Sequence, residues 1–190
     1  MNAPLRTRAA EGIDRRAFTV AEVHAMVKAG IMDENEPVEL WEGEFVPMNA
    51  KYNRHEIWKR RLIRILARAL PDDIAVAVEP SLYLSDITFV EPDILMHADA
   101  LMPEDVRGPD CLLVIEIADS SLAKDLNAKA RLYAKYGVTH YWVLDPESRR
   151  AYRLSKPAGD AYGETVTVES DGEVTLPFEP ALTIRLADLG

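Results

Sequence analysis

Hydrophobic positions along the chain follow two periods, and the changes between them outline the elements. Phe18 to Ala29 reads as a short helix: Thr19 and Glu22 have capping-box spacing, Phe18 and Val23 suit a hydrophobic staple, and Gly30 ends it. VELWEGEFVPM reads as a β-hairpin, with Val38, Leu40 and Trp41 before a Glu42-Gly43 turn and Phe45 and Val46 after it. From about Asn53 to Leu70 the period returns to helical, with Trp58, Leu62, Ile65, Leu66 and Ala69 on one stripe and Pro71 as the stop. Ile74 to Val78 and Ser81 to Leu84 are short strands. Two apolar runs follow, ITFVEPDILM and CLLVIEIA, then a helix from Ser120 or Ser121 to Gly137. HYWVLDP is another strand, and RAYRL, ETVTVES and ALTIRL are short strands between Gly, Pro and acidic turns.

Three residues break this pattern. Asp93 stands in the first apolar run and Glu116 inside the second, where a buried strand should carry no charge. A buried carboxylate must be paired, protonated or bound to a cation, because an isolated buried charge is very costly. In the following helix Leu122, Leu126, Tyr133 and Tyr136 form the apolar stripe, with Leu132 at its edge and Lys129 in its middle. Lys124, Arg131 and Lys135 point the other way. Lys129 can snorkel along its stem, or pair with Asp125 one turn earlier. On that reading Lys129→Met is neutral or stabilising. Two acids and one inward lysine converging on one sheet favour a site instead.

Composition narrows the alternatives. With 190 residues, 48% hydrophobic and 28% charged, the chain can bury a sizeable core, and a single domain over residues 17–190 is expected after a mobile polar tail over residues 1–16. The N-terminus lacks the apolar core of a signal peptide and no apolar run reaches membrane-spanning length, so a cytoplasmic protein without a membrane partner is expected. Cys111, the one cysteine, reads as a buried thiol and excludes both an internal disulfide and a multi-cysteine zinc site. The net charge of −10 argues against a protein that coats nucleic acid non-specifically. Within that acidic chain the long helix is strongly basic: Arg54, Lys59, Arg60, Arg61, Arg64 and Arg68. Such a face is a solvated surface, a partner surface or a phosphate-binding edge.

The chemistry these residues suggest is metal-assisted cleavage. Asp93 and Glu116 from neighbouring strands can hold an oxygen-loving divalent ion, since magnesium needs only one or two protein carboxylates. The peptide carbonyl of Ile117 is a further candidate ligand. Lys129 would orient or deprotonate the attacking water, or neutralise developing charge. No organic cofactor is expected. A carboxylate-pair glycoside hydrolase is the weaker enzyme reading, because it leaves Lys129 without a role.

VEPDILM, followed by VIEIADSSLAKDLNAKARLYAKYGVTHYWVLDP, resembles the Uma-two type of restriction endonucleases within the PD-(D/E)XK nuclease superfamily. The hairpin and His55, at the start of the basic helix, match as well. The resemblance spans roughly residues 18–189. It implies an α/β (α+β) fold with a restriction-endonuclease-like mixed sheet flanked by helices, with extra β-hairpins. It also implies a Mg2+- or Mn2+-dependent endonuclease acting on DNA, as a homodimer. Carried over by motif, Asp93 is the aspartate of PD and Glu116 the second acid. The usual lysine would stand at position 118, which is Ala118 here, and Lys129 from the next helix takes that place. Glu39 or Glu44 would add an acid from the hairpin, and His55 joins the catalytic set. The alternative function is a catalytically silent relative that binds nucleic acid or a protein partner with the same fold.

Overall fold

In this computed structural model the described residues are 6–8, 14–50 and 52–190. Strands in chain order are β1 (Arg6–Arg8), β2 (Asp14–Arg16), β3 (Val38–Trp41), β4 (Glu44–Pro47), β5 (Ile74–Val78), β6 (Leu82–Ser85) and β7 (Thr88–Val90). Then come β8 (Ile94–Ala98), β9 (Cys111–Ile117), β10 (His140–Asp145), β11 (Arg150–Ala158), β12 (Ala161–Val168), β13 (Glu173–Thr175) and β14 (Thr183–Arg185). The helices are α1 (Val20–Lys28), α2 (Asn53–Ala69), α3 (Leu122–Lys124) and α4 (Ala130–Lys135), and a π-helical turn, Asp125–Lys129, joins the last two. Among the described residues, no helix is long and apolar enough to cross a membrane.

The chain divides into two compact units, the first formed by the chain up to Met48 with Ser81–Glu91. Its sheet has the order β4-β3-β7-β6. The Thr19–Glu22 capping box starts α1, and positive φ at both Glu42 (51°) and Gly43 (87°) closes the β3–β4 hairpin as the right-handed strand twist requires. A side chain at position 43 would also overlap Ala17. The tail expected over residues 1–16 lies partly outside the described residues; its described parts, β1 and β2, pair antiparallel.

The second unit, Asn49–Pro80 with Pro92–Gly190, carries a mixed six-stranded sheet in the order β12-β11-β10-β9-β8-β5. Only β9 and β10 run parallel among the described neighbours; the other pairs are antiparallel. Trp58, Leu62 and Leu66 of α2 share one core cluster with Ile94 and Met96, Leu113, Ile115 and Ile117, Trp142 and Leu144. One face of the sheet is therefore covered by α2. Alternation along β9 sends Val114 and Glu116 to the opposite face, where Tyr141 of β10 meets Tyr133 of α4 with ring centroids 4.8 Å apart. Cys111 is buried as expected, its thiol pushed up to about 12 by burial.

One expected element divides. ITFVEPDILM is not one strand: β7 belongs to the first unit's sheet and β8 to the second's, with Glu91, Pro92 and Asp93 between them. Pro92 has no N–H to give a ladder, which suits a chain leaving one sheet for another.

Candidate active site

Asp93 immediately precedes β8, and Glu116 is the sixth residue of β9. Ile94 pairs with Ile115, so one further step of the antiparallel register sets Asp93 opposite Glu116, on one face. Both acids are buried, 4% and 5% exposed. Each has cationic or polar partners that make its burial tolerable. Asp93 Oδ2 accepts the Ile117 amide at 2.8 Å, and its Oδ1 lies 2.8 Å from His55 Nε2. Glu116 Oε1 lies 2.8 Å from Lys129 Nζ and accepts the Tyr133 hydroxyl at 2.9 Å. The Ile117 peptide thus enters this arrangement through its N–H.

Lys129 is 5% exposed, so it does not snorkel to solvent. Its ion pair is with Glu116, across from the helix. The stripe expected around it is altered by the π-helical turn: Asp125, Lys129, Ala130, Leu132, Tyr133 and Ala134 are buried, while Leu122, Leu126 and Tyr136 are only half-buried. A π-turn takes more residues per revolution than 3.6, so everything before it slips in phase against everything after it. The Asp125 carbonyl anchors the turn, accepting the Ala130 amide and the Tyr141 hydroxyl, the latter at 3.1 Å. Ser121 does not cap the helix with its side chain; its hydroxyl donates to Asp125 Oδ2. Burial lifts the Asp125 carboxyl above its ordinary value, against the pull of Lys129 and the Ser121 hydroxyl, and the Asp93 charge adds to the rise.

His55 faces two carboxylates, Asp93 from Nε2 and Glu56 from Nδ1 at 3.0 Å. Burial draws its pKa down, but the bond to Asp93, the Asp93 charge and the bond to Glu56 outweigh it and leave the pKa raised. A neutral ring has one N–H for two acceptors, so this setting favours the imidazolium.

The remaining predicted residues separate by burial. Glu39 is 1% exposed; its Oε2 accepts Trp41 Nε1 and its Oε1 the Glu91 amide, both at 2.9 Å. Glu44 is exposed. They do not oppose each other: Glu39 pairs with Val46, and Trp41 with Glu44. Arg60, Arg61 and Arg64 are exposed on α2. Arg54 is exposed too, but its guanidinium donates to Asp119 Oδ1 at 3.0 Å. Lys59 departs from the basic face: it is 8% exposed and bridges Glu56 and Glu79 at 2.7 and 2.6 Å.

Two buried residues near the acids, Tyr133 and Asp125, were not anticipated in these roles. Tyr133 stands one helical turn after Lys129, and a buried tyrosine hydroxyl needs a partner, so its spacing was a usable signal. Nothing local marks the π-turn that buries Asp125.

Among proteins of curated function, none matches the chain. Its fold is similar to that of the crystal structure of a "putative nuclease belonging to DUF820" from Anabaena variabilis, with a TM-score of 0.66 and 17% identity over 90% of this chain and 97% of that one. The family described as "Putative restriction endonuclease", Uma2, matches residues 20–187, nearly the whole chain, and the chain belongs to that family.

Proposed function

We propose that the protein is a metal-dependent endonuclease that hydrolyses phosphodiester bonds of DNA. The observation that carries this reading is the pair of buried carboxylates, Asp93 just ahead of β8 and Glu116 in β9, set opposite each other by one further step of the β8–β9 register, with Lys129 2.8 Å from Glu116. Hard carboxylate oxygens suit Mg2+ or Mn2+, and one or two suffice for magnesium. Among the described residues no group of three or more His, Cys, Asp or Glu is placed to hold an ion; the proposed ligands are the two carboxylates, Asp93 and Glu116, with the Ile117 carbonyl as a backbone candidate. When bound, the ion supplies a more acidic water and charge stabilisation at phosphoryl oxygens.

The chain's own residues divide the remaining work. His55 and the Ile117 amide fix both oxygens of Asp93, so its carboxylate needs no reorganisation. Lys129 keeps a positive charge beside Glu116, where a phosphate oxygen gaining charge would be stabilised. Tyr133 holds Glu116 in that orientation. A homodimer would offer one such site to each strand of a duplex.

The test is nicking of supercoiled plasmid by the purified protein with magnesium, with manganese and with excess chelator. Cleavage that needs the ion is expected; an inert protein that still binds DNA would favour the silent, binding-only relative.

Arg60, Arg61 and Arg64 are the proposed phosphate contacts. Reversing all three to Glu should weaken DNA binding while the melting temperature hardly moves, because all three are exposed. The loss should shrink as salt rises, since phosphate contacts act through released counterions. Equal binding at low salt would show that DNA approaches another face.

A further inference from the structure

A closed circuit of contacts leaves Asp93 and returns to it. Asp93 Oδ1 meets His55 Nε2 at 2.8 Å, and His55 Nδ1 meets Glu56 Oε1 at 3.0 Å. The same Glu56 oxygen accepts from Lys59 Nζ at 2.7 Å, and Lys59 Nζ donates to Glu79 Oε1 at 2.6 Å. The Glu79 amide then donates to the Asp93 carbonyl at 3.1 Å. His55, Glu56 and Lys59 come from the first turns of α2, and Glu79 follows β5.

Two features suggest that this circuit holds something in place. Glu79 has φ of 51°, a conformation that a residue with a Cβ keeps only when its surroundings impose it. Asp93 precedes β8 and follows a proline, and the Glu79 amide bond to its carbonyl continues the Val78–Ile94 pairing by one residue. The circuit meets Asp93 at both ends, the side chain through His55 and the main chain through Glu79. Lys59 is the link between those two contacts.

We infer that Lys59 and Glu79 are positioning residues for Asp93, and that Lys59 makes no contact with a nucleic-acid phosphate. The effect on cleavage rests on the nuclease reading of Asp93; the circuit itself does not.

The experiment uses the full chain with Lys59→Met, Lys59→Arg and the isosteric Glu79→Gln. Nicking kinetics, the salt dependence of DNA binding and the 15N signals of the His55 ring in metal-free protein are measured. Lys59→Met and Glu79→Gln should each lower kcat by about 10–100-fold, the usual cost of losing a residue that orients a ligand. KM and salt dependence should stay unchanged. Lys59→Arg should recover most of the rate, and the His55 signals should move in the first two variants and return with arginine. The inference is overturned if Lys59→Met raises KM and flattens the salt dependence while Glu79→Gln cleaves normally, which would make Lys59 a phosphate contact. If the wild-type protein does not cleave DNA, the nuclease reading fails and the His55 signals alone decide. Signals unmoved by both substitutions would then overturn the circuit.

Discussion

Lys129→Met is expected to lower cleavage by about 10²–10³-fold, as deletion of one transition-state stabiliser does, and to destabilise the fold by about 3–5 kcal/mol at neutral pH. The second effect reverses the expectation from sequence, where an apolar side chain in an apolar stripe looked harmless. The reason is Glu116. It is 5% exposed, its cation is 2.8 Å away, and methionine would leave its charge with the Tyr133 hydroxyl as a neutral donor but without that ammonium. Removing one partner of a buried ion pair costs more than removing both. Lys129→Met combined with Glu116→Gln should therefore regain most of the stability, because the amide is neutral and Tyr133 can still donate to its oxygen. Cleavage should not return. Urea unfolding and plasmid nicking separate the two effects. A single variant that cleaves at the wild-type rate removes Lys129 from the reaction; one with an unchanged unfolding midpoint removes it as the charge partner of Glu116.

Asp93 should show the converse division between alanine and asparagine. Both substitutions are expected to abolish manganese binding by calorimetry and reduce cleavage to background, since each removes the ionised carboxylate. They differ in what they leave behind. Alanine strands the buried Ile117 amide, at a cost of about 1–3 kcal/mol, and takes away the acceptor facing His55. Asparagine keeps an oxygen for the amide and should unfold closer to wild type. Manganese should raise the melting temperature of the wild-type protein by mass action and leave both variants unmoved. Undiminished binding in Asp93→Asn would show that the ion sits elsewhere.

What sequence determined by itself was what short-range physics controls. The Thr19–Glu22 capping box, the Glu42-Gly43 turn, Trp58, Leu62 and Leu66 on the buried stripe of α2 and the acid inside β9 each depend on residues a few positions apart, and each appears in the structure where its pattern places it; of the rest of that stripe, Ile65 is half-buried and Ala69 exposed. Lys129 was legible because it broke a local pattern. Tertiary structure decided the rest, because burial of a charge depends on partners that sequence spacing does not reveal. Lys59 looked like one more cation on a basic face until Glu79, twenty residues on, drew it inward. Glu39 and Glu44 had the same appearance in the hairpin, and only packing buried one and exposed the other. The apolar continuity of ITFVEPDILM concealed a passage between two sheets, since strand partners are chosen at long range. The π-turn escaped for a related reason: the Tyr141 hydroxyl that helps anchor it comes from the next strand, and a 3.6-residue period cannot register a shift imposed from outside the helix.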